Sequence, residues 1–193
     1  MRRTESEAEE TKNELMTVAT GHFSKYGYAK TSLETIVSEV SMTRGALYHH
    51  FKNKKGLFTS VLEGLQAEVS DEVVTASDKY ENNWDKLYYG CRAFIETSVS
   101  DTHRQIVLID APSVLGWNEW RQLDSEHSMK NLKYLLFEMK ENEEIEDLSV
   151  DMLTHSLSGA MNESALLIAS NPEDTSIDAA MDVLKYYFEG LMK

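Results

Sequence analysis

The stretch Thr43-Arg44-Gly45-Ala46-Leu47-Tyr48-His49-His50-Phe51 gathers hydrogen-bond donors suited to anions and base edges, and Lys52, Lys54 and Lys55 follow it. Arg44 carries a planar fork able to bond O6 and N7 of one guanine together. Gly45 and Ala46 permit close approach, and the Ala46 methyl suits a thymine methyl. Thr43 can both cap a helix and bond a phosphate, and His49 is placed to reach a base edge. Leu47 and Phe51, four residues apart, fall on the opposite side, where they can anchor the segment. A helix with one anchored face and one polar edge is what a major groove about 12 Å wide admits. Lys54 and Thr31 each stand at an expected helix start, where free backbone N–H groups favour anions, and are read as phosphate contacts.

These side chains need helices to hold them. From Glu10, the residues Leu15, Val18, Ala19, Phe23 and Tyr26 recur at helical spacing until Gly27 stops the run. Thr31-Ser32-Leu33-Glu34 has the form of a capping box, with Leu33, Ile36, Val37 and Val40 along one face behind it. The third helix is Thr43 to Phe51. Three helices in some forty residues is the size of a helix-turn-helix unit.

Beyond Lys55 the spacing predicts longer helices over about 54–77, 84–100, 102–110 (ended by Pro112), 116–141, 148–170 and 176–192. The acidic run 141–147 reads as a solvated loop, and Asn171-Pro172 as a break. The expected fold class is therefore all-α, about nine helices in total: an N-terminal three-helix DNA-binding domain over 1–54 and a larger helical dimerisation domain over 55–193. Both C-terminal helices carry apolar stripes wider than one core contact needs. A homodimer through about 148–192 follows, since a single recognition helix reads only a few base pairs and a two-fold pair reaches successive major grooves.

Only two prolines interrupt the 193 residues, which favours long helices. The net charge is −14, ordinarily adverse to nucleic acid. The charge is divided, however: residues 11–60 hold seven basic against three acidic side chains, net +4, whereas 61–193 come to −16. The lone Cys91 reads as a buried free thiol. Met1-Arg2-Arg3 runs into glutamates with no apolar leader segment, and no apolar run approaches the ~20 residues of a membrane span, so a cytoplasmic protein with no membrane partner is expected.

The six histidines suggest no metal. His22 shares the apolar face of the first helix, and His103, His127 and His155 lie on separate elements without HExxH or paired-cysteine spacing. No nucleophile elbow, phosphate-binding loop or dinucleotide glycine pattern is present. No enzyme activity and no cofactor are expected.

The segment from Tyr26-Gly27-Tyr28 through Thr31-Ser32, Ile36, Gly45, Leu47-Tyr48, His50-Phe51, Lys54 and Leu57 resembles the DNA-binding signature of the TetR family of bacterial transcriptional regulators. The resemblance covers about 50 residues. It departs at Val40-Ser41, where the family commonly has Ala-Gly. It implies that Tyr48 and His50 hold phosphates of a double-stranded DNA operator. It also implies that a small apolar or aromatic effector sits among the later helices, for which Tyr89, Phe94, Trp117 and Trp120 are the expected lining. The function so implied is operator binding as a homodimer, most simply repression, released by the effector. The competing reading is a helical small-molecule sensor or carrier without operator binding.

Overall fold

The computed structural model describes residues 5–40 and 42–193. Ser41 of the Val40-Ser41 turn and the Met1-Arg2-Arg3 start lie outside the described residues. The chain is all-helical, with no strand among the described residues beyond an isolated bridge between Ile145 and Met192.

Helix α1 (Glu5–Lys30) breaks at Gly27, the expected stop, where φ is 76°. A β-carbon there would be strained by that φ, although Asp110 and Gln105, at 3.4 Å, leave it room at ordinary contact. Helices α2 (Leu33–Glu39) and α3 (Arg44–Phe51) follow. Leu15, Ala19, Phe23, Leu33, Ile36, Leu47 and Phe51 are buried together, as the helical spacing implies. The cap of α2 is Ser32 rather than Thr31: its hydroxyl accepts from the Glu34 amide at 3.2 Å and donates to the Glu34 carboxylate at 2.8 Å.

Helix α4 (Lys54–Ser77) is capped by Asn53, whose side chain accepts from the Gly56 amide at 2.9 Å. The chain enters it through a tight turn at Lys52, which has φ 64° and ψ −48°, with the Asn53 amide bonded to the Phe51 carbonyl at 2.7 Å. This is the rare γ-turn geometry. The turn brings α4 so close to α3 that a β-carbon on Gly56 would lie 2.0 Å from the Phe51 carbonyl oxygen.

Helix α5 (Asn83–Ser98) packs along α4. The next element corrects the sequence reading. A helix runs from α6 (Asp101–His103) through a π-helical segment, Arg104–Asp110, into α7 (Ala111–Leu115). Pro112 does not end it. The Ala111 amide bonds five residues back to Ile106, and Pro112, which has no N–H, stands just past this change from π to α spacing. The single helix expected over 116–141 is two, α8 (Trp117–Glu126) and α9 (Ser128–Glu141), separated at His127 by a non-helical φ of −112° and ψ of −103°. Helices α10 (Val150–Ser170) and α11 (Ile177–Glu189) close the fold. The acidic loop before α10 is pinned to the C-terminal end: Ile145 is buried and the Glu146 amide bonds the Leu191 carbonyl at 3.1 Å.

Candidate nucleic-acid interface and ligand cavity

Thr43 caps α3, its hydroxyl accepting from the Ala46 amide at 3.2 Å. Behind it, Leu47 and Phe51 are buried while Thr43, Arg44, Gly45, Tyr48, His49 and His50 are exposed and Ala46 is half-buried. The polar edge anticipated from the sequence thus faces solvent at the amino end of a helix anchored from below.

Arg44 is held in place before any ligand arrives. One guanidinium nitrogen lies 2.8 Å from the Glu34 carboxylate and another donates to the Tyr48 hydroxyl at 3.3 Å. The Ser32 hydroxyl, the Glu34 amide and the Arg44 guanidinium hold the Glu34 carboxyl below its usual range. Sequence reasoning did not single out Glu34, because only the crossing of α2 over α3 brings it to Arg44.

The two expected phosphate contacts at helix starts differ from each other. Thr31 is a correction: it is 4% exposed, and its hydroxyl donates inward to the carbonyls of Gly27 at 2.8 Å and His22 at 3.1 Å. Ser32, half-buried, stands at the start of α2 instead. Lys54 lies over the Tyr28 ring at 4.4 Å and donates to the Ala29 carbonyl at 3.3 Å, tying α4 to the end of α1. Burial draws its ammonium below the usual lysine range, and the Asp110 carboxylate opposes this. His22, expected on the apolar face of α1 and not as a metal ligand, bonds Glu39 at 2.9 Å between α1 and α2.

The head is fastened to the body at α6 and the π segment. The Asp110 carboxylate accepts the Tyr28 amide at 2.7 Å, and the Ser24 hydroxyl donates to the Asp101 carbonyl at 2.8 Å.

Between α4, α5, α8, α9 and α10 lies a cavity of about 720 Å³. Its wall is mostly apolar, with Leu87, Cys91, Phe94, Met129, Leu132 and Met161 prominent. Such a volume suits a small organic molecule. Of the expected lining only Phe94 is there. Trp117 is 66% exposed, its ring 5.2 Å from that of Trp120. Trp120 is buried as core, its indole donating to the Val107 carbonyl at 3.3 Å. Tyr89 stacks flat on Tyr80 at 4.1 Å, lining a separate cleft with Trp84 and Lys185. The cavity also contains Asp124, Ser128 and Ser158, which helical periodicity alone does not mark. Burial pushes the Cys91 thiol up to about 12.

Two matches to known proteins bear on this arrangement. Residues 15–61 match the family described as bacterial regulatory proteins, tetR family, and residues 84–191 match the tetracyclin repressor-like C-terminal domain. The chain belongs to the TetR family of bacterial transcriptional regulators. TetR-family proteins are generally DNA-binding repressors rather than enzymes. A solved TetR-family regulator from Pectobacterium atrosepticum is 32% identical, covers 98% of each chain and superposes with a TM-score of 0.83. The regulator TtgR of Pseudomonas putida is 40% identical over 47% of this chain and 41% of its own length. The matched segments span 41% to 69% of the first curated relatives. The fold is shared with the Bacillus subtilis regulator FadR, solved in complex with stearoyl-CoA, at 16% identity over 92% and 97% of the two chains and a TM-score of 0.74. Like other TetR-family chains, this one keeps a small helix-turn-helix head and a larger helical body, and no helix of its described residues is long and apolar enough to cross a membrane.

Proposed function

We propose that this chain represses transcription by binding a palindromic operator as a homodimer and releases it when a small apolar or aromatic molecule enters the body. The observation that carries the reading is the exposed edge of α3, with Arg44 poised at its amino end and Leu47 and Phe51 anchored beneath. Arg44 reads guanine, Ala46 and His49 meet neighbouring bases across the gap that Gly45 leaves, and Thr43, Tyr48, His50 and Lys54 hold phosphates. The head is residues 1–54 and the effector and dimerisation unit is 55–193.

Dimerisation is supported by an unpaired face. Met152, Gly159, Leu166 and Leu167 are exposed along α10, and Val183, Tyr186 and Tyr187 along α11. Tyr186 is 76% exposed, an unfavourable place for so large an apolar surface unless a copy covers it. Two copies packed there form an isologous four-helix bundle and set their α3 helices one DNA turn, about 34 Å, apart.

Release is supported by α4, which carries α3 at its start through Gly56 and lines the cavity with Val73, Val74 and Ser77 near its end. A ligand that prefers one tilt of α4 changes operator affinity by its differential binding energy. The ligand seen with the Bacillus subtilis regulator is a further support for a small-molecule trigger.

The test is selection of bound fragments from the source genome with the full chain, followed by gel shift on the enriched site and mass measurement in solution. A dimer that shifts the site, and an Arg44→Ala variant that loses it while still binding random duplex, are expected. A monomer, or a chain silent towards every duplex at low salt, would overturn the proposal and favour a sensor or carrier without operator binding.

A further inference from the structure

Asp124 is the one buried carboxylate among the described residues, and it lies on the cavity wall. All of its hydrogen bonds end on the same oxygen. Oδ2 accepts from Arg121, from Asn162 at 3.3 Å and from Ser158 at 3.4 Å, and no described group donates to Oδ1. Nearby in sequence and on the same wall, the Ser128 hydroxyl is buried without a partner. Buried polar atoms are nearly always satisfied, which makes the unpartnered Ser128 hydroxyl costly, whereas Asp124 Oδ1 keeps a trace of accessible surface through which a donor can reach it. The wall beside them includes the apolar Phe94, Leu132 and Met161, and its other donors, among them Ser77, Asn131 and the lysines, make no bond to Oδ1.

The charge of the subsite decides the kind of donor. Arg121 pairs with Asp124 and is itself bonded to Ser158 at 3.0 Å, so the carboxylate is already neutralised. A second cation would be desolvated beside a guanidinium, and an anion would meet a carboxylate. A neutral O–H meets neither obstacle and forms a short, strong bond to a carboxylate oxygen.

We propose that the cavity selects an apolar molecule bearing a hydroxyl, of the phenol or alcohol class, whose O–H donates to Asp124 Oδ1 while its hydrocarbon body lies against Phe94, Leu132 and Met161. The proposal deepens, and rests on, the reading of this cavity as the effector site. The Ser128 hydroxyl donates a second bond to the oxygen of the same group.

Titration calorimetry of the full chain with 4-butylphenol, 4-butylanisole, 4-butylbenzylamine and 4-butylbenzoate tests it. The phenol is expected to bind about tenfold or more tightly than the anisole, which has the same body and no donor, and ahead of amine and benzoate. Asp124→Asn is expected to bring the phenol-to-anisole affinity ratio close to one. Equal affinity for phenol and anisole would overturn the hydroxyl assignment and leave the effector cavity standing, as would preference for the amine. Binding of none of the four by protein that still melts cooperatively would overturn both. Should Asp124→Asn not fold, the phenol-to-anisole ratio in the unaltered chain decides alone.

Discussion

The Asp110 carboxylate accepts the backbone N–H of Tyr28 at 2.7 Å, so a side chain of the body completes the backbone of the DNA-binding head. Tyr28 follows the break at Gly27, where the helical ladder of α1 can no longer serve its amide. The ring of Tyr28 meets Phe58 edge-on at 5.1 Å and carries Lys54 on its face, so α1, α4 and the π segment converge on one residue.

Removing that acceptor should be costly. Asp110→Ala leaves a half-buried amide unpaired, for about 1–2 kcal/mol of stability and a fall of several degrees in Tm. Asp110→Asn keeps an oxygen acceptor and should stay near the unaltered chain. Thermal unfolding of the two variants side by side is the check, and equal melting of the alanine variant would show the bond to be dispensable.

Glu34 and Arg44 set a second expectation. The carboxylate occupies the guanidinium in the free protein and repels the phosphate backbone, a cost that random duplex must meet without the two bonds a guanine edge returns to Arg44. Glu34→Gln should therefore bind random duplex more tightly and lower the ratio of specific to random affinity. Arg44→Ala should lose about tenfold to a hundredfold on the cognate site only. Competition binding at two salt concentrations measures both.

The amino-terminal half was the more legible part of the sequence, and the reason is physical. In α1 to α3 each side of a short helix does one thing, so a local period of apolar residues reveals which side is buried. Even there Thr31 and Ser32 present two adjacent hydroxyls, and which of them turns inward depends on the carbonyls of Gly27 and His22, set by the break in α1. In the body, every helix has neighbours on several sides. Trp117 and Trp120 share one helix only three residues apart, yet one is in solvent and the other in the core. The cavity lies where five helices fail to meet, a property of their relative tilt that no single helix encodes. Asp124 resembles any of the 33 acidic residues until its surroundings are known.

His103 gives the pH dependence a sign. It is buried against Ser100 at 3.0 Å and lies 3.3 Å from Glu68; burial lowers its pKa and the glutamate opposes this. Above the usual imidazole value of 6.5 both folded and unfolded chains are neutral there and stability is fully retained. Below it the unfolded chain takes the proton first, so stability falls as pH drops towards the lowered folded value. Urea unfolding at pH 7.5, 6 and 5 should show this decline, and His103→Gln should flatten it.

Cys91 supplies a reporter. With its thiol buried in the cavity wall and its pKa near 12, almost no thiolate is available at neutral pH. Iodoacetamide should label the folded chain far more slowly than the urea-unfolded chain, as read by mass spectrometry. Comparable rates would place the thiol in contact with solvent.

The π segment, Arg104–Asp110, ties the cavity's supporting helices to the head through the arithmetic of chain length. Each residue of an α-helix turns the chain by about 100°. Inserting or deleting one residue between Arg104 and Asp110 would therefore swing the aspartate round the helix and away from Tyr28. Spacing in this stretch is thus constrained even at positions where composition is free, and single-residue length variants here should uncouple head from body while conservative substitutions pass unnoticed.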